Sequence, residues 1–266
     1  MVFHRLLTLF ILCIFSGELS AGSTAKAEAH FSPEQITGFA KQVEKYAAAQ
    51  GARVFIIGRI GRPAEELPTG VTFTHTAIAI YSSISLPDGK TAKGYAIHNL
   101  YQNDKKLDRS DLVVDYPVDF FWGAYQLRAG IIIPTPELQQ RLLHAYASGA
   151  DKTVHRPDYS LLANPFNDHF QNCTEYTLDV INAAIYQTTD YQQLKANTKA
   201  HFKAQPIKIN GLKLLLGSVL MEDVKIQDHS GKVVTATFDT ISAYLAENSL
   251  LERALILEQD GSVKAI

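Results

Sequence analysis

The run Asn164-Pro165-Phe166-Asn167-Asp168-His169-Phe170-Gln171-Asn172-Cys173-Thr174-Glu175-Tyr176-Thr177-Leu178-Asp179-Val180-Ile181 changes character in its middle. Its first half is rich in Asn, Asp, Pro and His, the composition of a loop. From Tyr176 onward, Val180, Ala183 and Ala184 recur at helical spacing. The switch falls at Asn172, a favoured N-cap, with Glu175 three positions on to close a capping box. Cys173 then occupies the first helical position. Backbone N–H groups there are unsatisfied by the helix, so they favour a thiolate and form a pocket for an oxyanion. The side-chain amide of Gln171 or Asn172 is a candidate second oxyanion donor. Cysteine is also among the most buried residue types, and a small packing residue under a helix start is the structural alternative.

The rest of the chain sharpens the choice. Of 266 residues only two are cysteine, and the other, Cys13, sits in the apolar run Leu6 to Phe15 behind His4 and Arg5. That run reads as an export signal over residues 1–27, too short to span a bilayer, which needs about 20 apolar residues. Small-residue cleavage candidates lie at Ser20-Ala21-Gly22 and Ala25-Lys26-Ala27. Its removal leaves roughly 240 residues, taken as a single domain from 28 to 266 with an accessory C-terminal part from about 205. A periplasmic or secreted location follows, with no transmembrane span after cleavage. A lone mature cysteine there has no partner within its own chain for a disulfide, so its thiol is either buried or used. The formal net charge is −2, with no basic stripe to suggest nucleic acid.

Along the mature chain, Ser32-Pro33-Glu34-Gln35 opens a helix whose apolar face is Ile36, Phe39, Ala40 and Val43. Arg53 to Gly58 and Val71 to Ile84 read as strands, and the turn Leu86 to Lys90 joins the second of these to Lys93–Gln102 as an antiparallel hairpin. A short helix or turn at Val118–Trp122, a strand from Gln126 to Ile133 and a helix after Pro136 come next. Further helices are expected at Asn210–Leu220 and Asp239–Asn248, with a hairpin-like piece at Asp228–Gly231 between them. Helices at both ends with strands between point to an α+β fold.

A cysteine nucleophile needs a base, usually His, held by a third polar group. Of nine His residues, His75 stands out inside an apolar strand, where Ala77 and Ala79 on its own face leave room for the ring. His98 and Asn99 on the partner strand are the candidate third residues. They face opposite ways, so only one can orient His75. A strand His also has an ordinary reading as a hydrogen-bonded core residue. His144, His155 and His169 show no metal-ligand spacing, and the single mature cysteine removes thiolate zinc sites, so no metal and no cofactor is expected. No Gly-x-Ser-x-Gly elbow is present.

Thr74-His75-Thr76-Ala77-Ile78-Ala79-Ile80 followed by Asn172-Cys173-Thr174-Glu175 resembles the circularly permuted papain-like group. That group includes lecithin:retinol acyltransferase-like proteins and permuted NlpC-type cell-wall hydrolases. The wider set of Asn99-Leu100-Tyr101, Asp115 to Phe121 and Gln171 to Glu175 also resembles a secreted bacterial family, domain of unknown function 2145. The first resemblance implies an antiparallel sheet packed against the Cys-bearing helix, with the His strand ahead of the Cys helix. About 70 residues part the strands from that helix, an insertion loops can absorb. It implies thiol chemistry on an amide or ester carbonyl of a small-molecule, peptide or lipid substrate in the cell envelope. In that reading Cys173 attacks, His75 carries the proton, and His98 or Asn99 holds the ring, the acyltransferase-like pattern favouring His98. The expected geometry brings the sulfur to one ring nitrogen of His75. The rival reading is a non-catalytic binding or structural protein on the same scaffold, with Tyr116 and Asp119–Trp122 as a recognition surface.

Overall fold

A computed structural model describes residues 27–85, 88–208 and 221–266. Residues 1–26 of the expected export signal (1–27) and the helix expected at Asn210–Leu220 lie outside the described residues. The first helix, α1 (Pro33–Ala49), carries the full capping box of Ser32 and Gln35 and buries Ile36, Phe39, Ala40 and Val43. Gly51, with φ +69°, turns the chain out of it, a left-handed conformation that glycine adopts without strain.

Strands β1 (Val54–Ile60), β2 (His75–Ser85), β3 (Thr91–Gln102) and β4 (Ser110–Asp115) follow. After them come α2 (Pro117–Trp122), β5 (Gln126–Pro134), α3 (Pro136–Ser148) and the single turn α4 (Ala150–Thr153). Helix α5 (Cys173–Tyr186) starts at Cys173, and α6 (Tyr191–His201) packs beside it. The C-terminal part holds the short pair β6 (Gln205–Pro206) and β7 (Val234–Thr235), then α7 (Phe238–Glu247), β8 (Leu251–Glu258) and β9 (Val263–Ala265). The Asp228–Gly231 segment is a turn, and the strands that pair around it are the distant β6 and β7.

Among the described residues seven strands form one antiparallel sheet in the order β4-β3-β2-β1-β5-β8-β9. Alternation sends successive side chains to opposite faces. Ile57, Ala77, Ala79, Ile97 and Ile131 share one apolar cluster with Ile36, Phe39 and Val43 of α1 and Phe120 and Phe121 of α2. Ile56, Ile78, Leu100 and Ile132 share the other with residues of α3, α5 and α7. Both faces are thus covered, and β1 is buried at every position. The fold is α+β, as the residues suggest. The part beyond Gln205 does not stand apart from it, because β8 pairs with β5 inside the main sheet.

Two glycines set where the loop ahead of β2 lies. Gly58 and Gly130 are paired across β1 and β5. A Cβ on Gly58 would lie 2.9 Å from the Phe238 ring, and one on Gly130 would lie 2.6 Å from it. Their absence makes a slot in which Phe73 and Phe238 meet with ring centroids 4.7 Å apart. Phe73 is thereby fixed two residues ahead of His75.

Candidate active site

Asn172 caps α5 as its position suggests: its Oδ1 accepts from the Thr174 and Glu175 N–H groups at 3.1 and 2.9 Å. The cap leaves the Cys173 N–H out of this pair. Glu175 does not close a capping box. It is fully buried and takes the Lys195 ammonium at 2.6 Å, with Asp179 on the same ammonium at 2.9 Å. Lys195 stands 20 positions from Glu175 on a different helix, so nothing local in the sequence pairs them.

Cys173 is 7 % exposed and lines a cleft of about 280 Å³. The cleft is walled by the loop ahead of β2 (Val71, Phe73), by Tyr159 and Leu161, and by Val224 and Ala236 of the C-terminal part. The sulfur contacts the backbone on either side of His75. It lies 4.0 Å from the Thr74 carbonyl oxygen and 3.8 Å from Thr174 Oγ1, and it accepts from the Thr76 N–H. The β2–β3 register stops at Ile78↔His98, so at Thr76 the sulfur stands where a third strand would otherwise pair. Thr174 Oγ1 donates to Thr76 Oγ1 at 3.2 Å and ties the helix start to β2.

His75 is fully buried, and it reaches the seam from the other face of the sheet. Its Nε2 lies 2.9 Å from Asn99 Oδ1. Asn99 Nδ2 donates to the Ile97 carbonyl at 3.0 Å and to Asp115 Oδ1 at 2.8 Å. With the amide nitrogen spent on two acceptors, its oxygen must accept from His75, which puts the ring proton on Nε2. Nδ1 is buried and makes no hydrogen bond. The sulfur and Nδ1 are therefore not bonded to one another here, and His75 is not part of the cleft lining. His98 faces the opposite side, its ring 4.4 Å from that of Tyr146. It is Asn99, not the favoured His98, that meets His75.

The Gln171 and Asn172 amides, the candidate oxyanion donors, are engaged elsewhere. Gln171 Nε2 donates to the Val154 carbonyl and to Asp179, at 3.1 and 2.7 Å. Asn172 Nδ2 donates to the Leu161 carbonyl at 3.0 Å and to Thr235 Oγ1 at 3.3 Å. Both amides shape the cap and the wall of the cleft, so neither has an N–H left for an oxyanion.

Arg59, absent from the candidates above, is a buried cation beside His75. It pairs in register with His75, and its Nη1 donates to the Phe120 carbonyl at 2.8 Å. Its guanidinium lies 5.4 and 5.9 Å from the centres of the Phe120 and Tyr101 rings. A lone arginine in the apolar run Val54 to Ile60 was the signal available for it. Burial and then the Arg59 charge push the His75 pKa down to about 3, so the imidazole is neutral at any working pH. Burial also pushes the Cys173 thiol up, against the hydrogen bonds from Thr76 and Thr174 and the Arg59 charge. The expectation of a thiolate at the helix start thus meets a stronger opposing effect, desolvation.

His144, His155 and His169 do not form a cluster, and among the described residues no group of three His, Cys, Asp or Glu is placed to hold a metal ion. No described helix is long and apolar enough to cross a membrane. His229, on the C-terminal part, is held by the Leu162 carbonyl at 2.9 Å and by Asp228.

Residues 46–245 match the profile of a family described as uncharacterized proteins conserved in bacteria, DUF2145. No curated protein and no solved structure matches the chain.

Proposed function

The chain belongs to this bacterial family, and from that footing we propose that it is an exported cysteine hydrolase or acyltransferase acting on an amide or ester carbonyl in the cell envelope. One observation carries the reading. The cleft-facing Cys173 thiol rests on the backbone that bears His75, and Asn99 holds that ring with Nδ1 free to accept a proton.

In this reaction Sγ attacks the carbonyl carbon as its proton passes to His75 Nδ1, and the Cys173 N–H binds the oxyanion. Collapse of the tetrahedral adduct breaks the bond to the leaving group, which takes the proton from His75, and leaves a thioester on Cys173. Water or an acceptor nucleophile then releases the acyl group. The transfer requires the sulfur to leave the Thr74 carbonyl for the ring, and catalytic hydrogen bonds are often loose before substrate binds. The permuted papain-like assignment belongs to this proposal, as do the periplasmic location and the peptide or acyl nature of the substrate.

The test is exposure of the pure protein to p-nitrophenyl acyl esters, followed by intact-mass analysis. The expected result is one acyl adduct on Cys173, lost in Cys173→Ala and slowed at least tenfold in His75→Ala. An adduct that forms equally fast without His75 sinks the mechanism.

A second reading has its own observation. The protonated thiol and the unbonded Nδ1 equally suit a binding protein that keeps the scaffold without the chemistry. On that reading Cys173→Ser leaves the biological effect intact.

A further inference from the structure

His75 is joined through Asn99 to the Asp115 carboxylate by two hydrogen bonds. We propose that Asp115 is a positioning residue for His75, acting through Asn99 to hold the imidazole in the form with its proton on Nε2. This rests on the reading of His75 as the base.

Asn99 is the weak link in any such arrangement, because an amide turned end for end has nearly the same shape. With Nδ2 toward the ring, His75 would have to accept on Nε2 and carry its proton on Nδ1, the nitrogen the reaction needs empty. A carboxylate accepts hydrogen bonds and donates none. Asp115 Oδ1, 2.8 Å from Asn99 Nδ2, therefore admits only the working orientation. The Ile97 carbonyl at 3.0 Å supports it with a neutral and weaker bond. Asp115 is pinned in turn, because Tyr101 O–H donates to its Oδ2 at 2.9 Å while the Tyr101 ring lies on His75. The carboxylate stands at the end of β4, opposite Ile97 in register.

The groups facing Asp115 come from three elements: Asn99 and Tyr101 on β3, Arg59 on β1 and Asp119 on α2. Burial raises its pKa, the hydrogen bonds from Tyr101 and Asn99 lower it, Asp119 raises it and Arg59 lowers it, for a value of about 6. Below that pH the protonated carboxyl can donate, and its hold on the amide orientation is lost.

The experiment uses the full mature chain with ¹⁵N-labelled histidine, and long-range ¹H–¹⁵N spectra read the His75 tautomer directly. At pH 8 the wild type should carry its proton on Nε2. In Asp115→Ala the ratio of Nε2–H to Nδ1–H should fall about tenfold, the worth of one charge-assisted hydrogen bond. Asp115→Glu should restore part of it. In the wild type the same ratio should fall as pH drops through about 6. A ratio unchanged in folded Asp115→Ala overturns the proposal. If that variant does not fold, a wild-type ratio constant from slightly alkaline pH to well below the Asp115 pKa does so. Failure of the acyl-adduct test would remove the nucleophile without touching this readout, so the two failures are distinguishable.

Discussion

The Tyr101 ring lies flat on the His75 imidazole, with centroids 4.8 Å apart and planes 8° from parallel. One tyrosine thus fixes the plane of the ring through its face and the carboxylate behind Asn99 through its hydroxyl. The two contributions separate by substitution. Tyr101→Phe keeps the stack and loses one hydrogen bond to a carboxylate, a cost of about 1.5–3 kcal/mol. Tyr101→Ala also opens a cavity beside His75 and should cost about 3–5 kcal/mol, as large-to-small changes at buried aromatics do. Urea denaturation of the three proteins measures both. Equal losses for the two variants would mean the ring face contributes nothing.

Cys173 should react as a protonated thiol at neutral pH. An acid whose pKa is raised by burial gives up its proton later than a free thiol, so its alkylation by iodoacetamide should still be climbing above pH 9. His75, held to about 3, should add no step between pH 4 and 9 on its own account. Labelling rates across that range check this, and a plateau reached below pH 8 contradicts it.

The buried charges under α5 carry the largest stability prediction. Burial, countered in part by Lys195, raises the Glu175 pKa well above its usual value, and Asp179 adds to the rise. Burial works against the Lys195 ammonium, but Asp179 and Glu175 outweigh it and raise its pKa as well. One ammonium thus serves two buried carboxylates. Lys195→Met strands Asp179 without a counter-charge and should cost about 3–5 kcal/mol. The sign with pH follows from Glu175: an acid whose folded pKa exceeds its unfolded one binds more protons when folded. Stability then falls as pH rises from the unfolded value toward the folded one. The variant's Tm should therefore be higher at pH 5 than at pH 8, and the reverse order in calorimetry would refute the assignment.

Gly130→Ala should destabilise by about 1–3 kcal/mol, because the new methyl meets the Phe238 and Phe73 rings inside ordinary contact distance. Displacing Phe73 moves the wall of the cleft beside Cys173, so iodoacetamide labelling should change in the same variant. Unaltered melting would show that the slot has slack.

Much of the site could be read from the chain because its signals are local. The cap at Asn172, the helix after it and the strand around His75 are each set by residues within a few positions, and Ser32 to Val43 announced α1 in the same way. The misses share a different cause. Whether Asn99 or His98 faces His75 depends on the β2–β3 register, and a slip of one residue exchanges the two faces. β4 carries a faint strand signal because Ser110-Asp111-Leu112-Val113-Val114-Asp115 is a partly exposed edge with acidic residues at second and last place. α6 is as faint in the sequence, because its polar composition gives a weak periodic signal, although it delivers Lys195 to Glu175. Gln171 and Asn172 read as oxyanion donors until their partners, Asp179 and Thr235, were brought near by tertiary packing.

The pairing of β8 with β5 has a consequence for how the chain comes to be folded. Until Leu251–Glu258 is available, Ile131, Ile132 and Ile133 of β5 present an unpaired apolar edge. The strand that covers them is more than a hundred residues away in sequence, so this contact closes late and slowly. During synthesis, everything from β1 to α7 emerges before the sheet can be completed. A chain stopped after Glu247 would expose that edge permanently and should aggregate through it.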